Sequence, residues 1–240
     1  MSNKLMTHPN GKGDICWRRL TSDDIGVIKE MITEFIKREP LSIALDLSCE
    51  EAIIWDVDHA MACVSDGHSI CAYDTSNDQI CGMALTTGPH TTQKCSNNWG
   101  EGLELPPKMA QIARVLEFLS NGPDKMIATK VGDSKFMKAE YLMVGDNYTR
   151  LGLGWVLIKK ACEVAKEQGC KYFFGECTST FSTKIFKNHG AEILKTVDLA
   201  VYKDPISGEK VLKNYPESHR YISLCCFDLR TSFTTNISRL

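Results

Sequence analysis

Asp146-Asn-Tyr-Thr-Arg-Leu-Gly-Leu-Gly-Trp155 is the stretch that decides how this chain is read. An apolar run, Tyr141-Leu-Met-Val144, stands before it. Behind it, Val156 to Gln168 has the spacing of an amphipathic helix, with Gly169 as its terminator. The order is strand, glycine turn, helix. A helix opened by such a turn leaves its first backbone N–H groups without intrahelical acceptors and aims them in one direction. The helix dipole adds partial positive charge at the same end, so the turn suits an anion such as a phosphate. Two common phosphate signatures are not met. GxxxxGK[ST] is absent, and of GxGxxG only Gly152 and Gly154 occur, with Leu157 in the third place.

Outward from the turn, the chain alternates between the two periodicities. Cys16 to Leu20 reads as a short strand, and Thr21-Ser-Asp-Asp24 can cap the helix that follows. Ile25, Ile28, Ile32, Phe35 and Ile36 share one stripe of that helix, and Glu39-Pro40 ends it. Ser48 to Val64 predicts a second helix. His68 to Tyr73 and Gln79 to Thr87 predict a hairpin around Asp74-Thr-Ser-Asn-Asp78. Gly88 to Gly102 is polar and irregular, and a mobile surface loop is expected there. Helices are expected from Pro106-Pro107 to Leu119 and from Pro123 to Lys135. Ala139 to Val144 and Tyr172 to Cys177 predict strands, and Phe181 to His189 a short helix closed by Gly190. Ile193 to Tyr202 and Tyr221 to Leu229 predict a last pair of strands. This order gives one mixed α/β sheet of about seven strands with helices on both faces.

The totals narrow the function. With 240 residues, 43% apolar and 24% charged, one large soluble domain is the default. A net charge of −2 argues against a general nucleic-acid binder. No apolar run reaches the roughly 18 residues of a membrane span. Met1 to Lys12 is polar and has no h-region, so a cytoplasmic location is expected. The eleven cysteines form no CxxC pair, and Cys71, Cys81, Cys170, Cys177, Cys225 and Cys226 sit in apolar segments. They read as buried thiols, and no metal is expected.

The sequence also resembles a known family. Strand, Thr149-Arg-Leu-Gly-Leu-Gly154, helix, strand and a short helix ending in glycine is the order of the GCN5-related N-acetyltransferases (GNAT), whose acyl-CoA motif is Gln/Arg-x-x-Gly-x-Gly/Ala. Gly152 and Gly154 match both glycine positions, and Thr149 replaces the Gln or Arg. Phe35-Ile-Lys-Arg-Glu-Pro-Leu41 resembles the Asp-Glu-Pro-Leu signature of insect-type arylalkylamine N-acetyltransferases, with Arg38 in place of Asp. Gly82-Met-Ala-Leu85, Thr178 to Gly190, and the tail from Tyr202 resemble further segments of that subfamily. The resemblance covers roughly residues 14 to 230. It implies a single acetyltransferase domain there, between a flexible start (1–13) and a tail (231–240).

What the resemblance implies for chemistry is specific. Acetyl-CoA is the expected co-substrate and a small amine, such as dopamine, tyramine, octopamine or serotonin, the expected acceptor. Leu142, Met143, Val144, Thr149, Arg150, Leu151, Gly152, Leu153, Gly154 and Phe186 are the expected coenzyme contacts, with Arg150 as a replacement for the missing motif charge. Glu39 is the expected general base. Glu39, Pro40 and His219 are expected against the amine. The amine needs such a carboxylate, because an alkylammonium has a lone pair only after losing a proton. The amides of Leu142-Met-Val144 are candidates for the oxyanion. Many GNAT enzymes protonate the leaving thiolate from a tyrosine where this chain has Phe186. Ser182 and Thr178 are the replacement candidates, four apart and so on one side if the helix reaches both; Ser179 is a weaker one. His90 is a candidate relay, and Trp55, Trp155, Phe35 and Tyr73 are candidates for an aromatic pocket. A monomer or weak dimer is expected, with neither nucleic acid nor membrane as partner. Three alternatives stay open. They are a polyamine or amino-acid acetyltransferase (Glu39, Glu50, Glu51, Asp56 and Asp58 supplying carboxylates), a coenzyme-binding module without turnover, and a protein acetyltransferase.

Overall fold

The computed structural model describes residues 3–7, 13–91, 105–122 and 124–231. In chain order its elements are β1 (Lys4–Thr7), β2 (Asp14–Arg19), α1 (Ile25–Ile36), α2 (Pro40–Ala44), α3 (Cys49–Ser65), β3 (Ile70–Asp74), β4 (Gln79–His90), α4 (Pro107–Ser120), α5 (Met126–Val131), β5 (Phe136–Val144), α6 (Leu153–Glu167), β6 (Tyr172–Cys177), α7 (Thr180–Asn188), β7 (Glu192–Asp198) and β8 (Tyr221–Asp228). The eight strands form one sheet in the order β1-β2-β3-β4-β5-β6-β8-β7. All pairings are antiparallel except that of β5 with β6. This is the mixed sheet that the sequence implies. Its additional strand is β1, inside the stretch expected to be flexible. Leu5 and Met6 pack against the apolar cluster beneath them, which offsets the entropy of ordering so short a strand.

Other differences concern element ends. The chain turns into α2 at Pro40, directly after Glu39, where a break alone is expected from the sequence, because proline suits the first helical position. α5 is shorter than the span Pro123 to Lys135, since Lys125 and Gly132 both take positive φ (45° and 53°) and bracket it. β4 runs on to His90, and residues 92–102 of the expected loop lie outside the described residues.

Each face of the sheet carries its own core. Ile28, Ile32 and Ile36 of α1, Ala60 and Cys63 of α3, and Val115 and Leu119 of α4 cover one face. Leu157, Ile158 and Ala161 of α6 and Phe186 of α7 cover the other. β5 alternates between them: Phe136, Tyr141 and Met143 face the first core, and Met137, Ala139, Leu142 and Val144 face the second. The alternation slips once. Leu85 pairs with Tyr141 but Thr86 with Ala139, so Glu140 is an extra residue in the ladder, a β-bulge. At the same place the parallel ladder stops. β5 and β6 pair from Phe136–Tyr172 to Ala139–Gly175 and no further, although β5 continues to Val144 and β6 to Cys177. The sheet forks there, and the fork positions everything below.

Gly175 holds the base of the fork. A Cβ there would overlap Cζ of Phe186, whose ring packs flat against Phe227 with centroids 5.1 Å apart. Gly175→Ala is expected to cost about 1–3 kcal/mol in urea unfolding, because β6 is held on both sides and the ring has no free space. Adding Phe186→Leu should recover part of that loss; a Gly175→Ala protein as stable as the parent contradicts this packing.

Candidate active site

An open cleft of about 550 Å³, its mouth included, lies on the first face beside the fork. Phe35, Leu41, Met109, Ile112 and Leu116 give it an apolar wall, and Glu39, Asp56, Glu140, Tyr141, Glu176 and Thr178 bring polar atoms to it. Stretches far apart in the sequence converge here: the end of α1 with its link to α2, α3, α4, β5 at its bulge, and the end of β6. The bulge sends both Glu140 and Tyr141 to this cleft, which strict alternation would forbid.

Glu39 is the N-cap of α2, and its Oε2 accepts the amide N–H of Ser42 at 2.6 Å. The residue is only 7% exposed, and Oε1 is buried without a hydrogen-bond partner. Burial pushes its carboxyl above the ordinary value; the amides of Ser42 and Leu41 and the Thr178 hydroxyl pull the other way. Asp56 of α3 accepts the Tyr141 hydroxyl at 2.7 Å, and burial raises it to about 6. Phe35 meets Tyr141 edge to face at 5.5 Å. Of the other carboxylates proposed for a polyamine, Glu50, Glu51 and Asp58 are exposed on α3 and do not line this cleft.

At the fork itself lies a buried ionic group. Lys138 Nζ reaches Glu176 Oε2 at 3.0 Å and Glu140 Oε1 at 3.5 Å, one carboxylate from each parting strand. Thr87 also donates to Glu140 at 2.7 Å, and Ser120 donates to Glu176. Lys138 and its neighbours hold Glu140 well below the usual carboxylate range, while desolvation pushes Glu176 up. Sequence reasoning passed over this group. The signal was present: Lys138, Glu140 and Glu176 are charges inside otherwise apolar strands, where unpaired charge is rarely tolerated.

The glycine turn lies on the other side of β5. Gly152 is the left-handed N-cap of α6 (φ 77°), and Arg150 also takes positive φ (61°). The first intrahelical bond is Val156 N–H to the Gly152 carbonyl, so the amides of Leu153 and Gly154, ahead of it, have no intrahelical acceptor. Beyond the fork, Gly145 N–H is bound to Cys81 on β4, which leaves the Val144 amide on the opposite, unpaired edge; Leu142 shares that side by alternation. Leu151 is half-buried in the turn, and Met143 is buried in the first core. Thr149 donates its hydroxyl to the Asp146 carbonyl at 2.9 Å, closing the turn. These amides fit a diphosphate, and a Cβ at Gly154 would already touch Ile185 at 3.1 Å.

Several expected residues are placed elsewhere. α7 begins at Thr180 with Ser179 as its cap, so Thr178 and Ser182 do not share a helical face. Thr178 lines the cleft with Glu39, whereas Ser182 donates to the Ser179 carbonyl at 3.0 Å within the capping box. Phe186, expected against the coenzyme, is 2% exposed and spent on the second core. His219 accepts the Thr180 N–H on Nδ1 at 3.1 Å and is lowered by burial, so it holds the start of α7 and does not line the cleft. Pro40 is buried at the first position of α2. His90 lies against Phe136, Trp155 stacks on His189 at 3.6 Å, and Trp55 and Tyr73 are half-buried outside the cleft.

The acetyltransferase (GNAT) family profile matches residues 48–190, more than half of the chain. The chain belongs to this family. Family members use acetyl-CoA as co-substrate, and the fork and glycine turn are where this chain offers free amides. The solved structures it is similar to include a mosquito arylalkylamine N-acetyltransferase like 5b, at 22% identity and TM-score 0.75, covering 89% of this chain and 99% of that one. Arylalkylamine N-acetyltransferase 2 from Aedes aegypti is similar at 19% identity and TM-score 0.77, covering 90% and 99%. A Drosophila melanogaster polyamine N-acetyltransferase that forms N-acetylagmatine is similar at 19% and 0.67, covering 90% and 100%. Among the described residues, no helix is long and apolar enough to cross a membrane.

Lys138→Met should cost about 3–5 kcal/mol at neutral pH in urea unfolding, because it leaves two buried carboxylates facing each other. The loss should shrink as the pH falls and these carboxylates take up protons. An unchanged midpoint at neutral pH contradicts the role given to Lys138.

Proposed function

We propose that this protein transfers an acetyl group from acetyl-CoA to a small primary amine, by direct transfer in a ternary complex, and that arylalkylamines are its acceptors. The observation that carries the reading is Glu39: a buried carboxylate with one unpartnered oxygen, on the wall of a cleft that opens beside unpaired β5 amides. Acetyl-CoA, when bound, supplies an activated acyl thioester. Glu39 attracts the ammonium and then takes its proton, directly or through water, since its raised pKa brings it closer to neutral pH. The N–H groups of Leu142 and Val144 hold the carbonyl oxygen as it gains charge. Ser182 and Ser179, at the positive end of the α7 dipole, favour a thiolate at that place, and Thr178 lines the cleft with Glu39 from the β6 side. Phe35, Tyr141 and the aliphatic wall offer an aromatic side chain its surface.

A second reading, a diamine or guanidino-amine acceptor, is favoured by Asp56, whose carboxylate lines the same cleft with no cation among its described hydrogen-bond partners. Initial rates with tyramine and with spermidine or agmatine separate the two. Higher kcat/KM for tyramine supports the first reading, and a preference for the dications supports the second. Thiol release on no amine at all contradicts both.

Glu39→Gln should lower kcat by about 10²-fold or more while leaving coenzyme A affinity unchanged. In the parent enzyme, activity should fall with falling pH on a limb above the ordinary carboxylate pKa, as Glu39 takes up a proton. Full rate in the Glu39→Gln enzyme at neutral pH removes Glu39 from the mechanism.

A further inference from the structure

Arg38 stands where the resembling subfamily has aspartate. Its side chain leaves the stretch that carries Glu39 and reaches the coenzyme side of the molecule. Nη1 donates to Asp146 Oδ1 at 2.6 Å, and Nη2 donates to the Val144 carbonyl at 3.2 Å. One guanidinium therefore touches the last residue of β5 and the residue that opens the glycine turn.

The fold has little need of this bridge. The pair is solvent-exposed, at 45% and 81% of its two side chains, and exposed ion pairs contribute little to stability. Asp146 poses a different problem. It is an exposed carboxylate at the first residue of the turn that leads into α6, and left uncompensated it would disfavour an anion at that turn. Thr149, at the motif position that usually brings a polar or cationic side chain, has used its hydroxyl inside the turn.

We propose that Arg38 is a coenzyme-binding residue of this chain: it cancels the charge of Asp146 at the mouth of the turn, so that the diphosphate does not meet an uncompensated carboxylate there. The proposal rests on the placement of the coenzyme diphosphate at the start of α6. Because Arg38 and Glu39 are neighbours in the chain, the same contact ties the base-bearing link to the coenzyme side.

Isothermal titration with coenzyme A alone tests this without turnover. Arg38→Ala should weaken binding roughly threefold to tenfold. The loss should shrink as salt is raised, since exposed charges are screened. Adding Asp146→Asn to Arg38→Ala should restore most of the affinity, an effect that a merely structural role for Arg38 would not produce. Arg38→Lys should keep most of it. Parent-like affinity of Arg38→Ala, or a loss that Asp146→Asn does not relieve, overturns the proposal. Gly152→Trp separates the two claims. If it still binds coenzyme A normally, the diphosphate placement fails and the proposal with it. If it loses binding while Arg38→Ala does not, only the role of Arg38 fails.

Discussion

Lys138 holds the place where the sheet divides. Its ammonium lies between Glu140 on β5 and Glu176 on β6, at the first residues past the last parallel pair. Buried charges are tolerated only when they are paired and hydrogen-bonded. Here the requirement is met by bringing two parting strands to one cation, with Thr87 and Ser120 taking up further carboxylate capacity. Glu140 follows Phe136 and Lys138 onto the first face by alternation, and the bulge brings Tyr141 to the same face beside it.

The fork gives the two faces of β5 different work. On the first face it opens a cleft whose carboxylates are shifted by desolvation, with Glu39 and Asp56 both raised and Glu140 held ionised by its partners. Past the fork it leaves an unpaired β5 edge, continuous with the glycine turn and the open amides of α6. An ammonium that must lose a proton suits the cleft, and a polyanionic acyl carrier suits the amides. The proposed transfer needs both within reach of one strand, and β5 can serve both because its side chains and its backbone groups point in different directions.

The parts of this arrangement that depend on local chemistry were readable from residues alone. The turn at Gly152, the helix behind it, the end of α1 before Pro40 and the hairpin at Asp74 to Asp78 follow from φ preferences, capping and periodicity. The parts that depend on pairing were not. The bulge at Glu140 exists only in register with Thr86 and Leu85, which no spacing in β5 reveals. Ser182 and Thr178 were expected on one face by their separation of four, but Ser179 caps the helix between them and gives them different neighbours. Phe186 occupies a coenzyme position in the family pattern, yet Gly175 leaves room beneath β6 that only a large ring fills. A sequence pattern reports what a residue can do locally; which strand lies opposite decides whether it does so.

Amide hydrogen exchange, with and without saturating coenzyme A, tests the account most directly. The N–H groups of Leu142, Val144, Leu153 and Gly154 have no acceptor among their described strand or helix partners. They should exchange fast in the free protein and slow markedly when the coenzyme is bound, while β2 and β3 stay unchanged. Equal exchange at Leu142, Val144, Leu153 and Gly154 in both states would mean that the fork and the glycine turn do not hold the coenzyme.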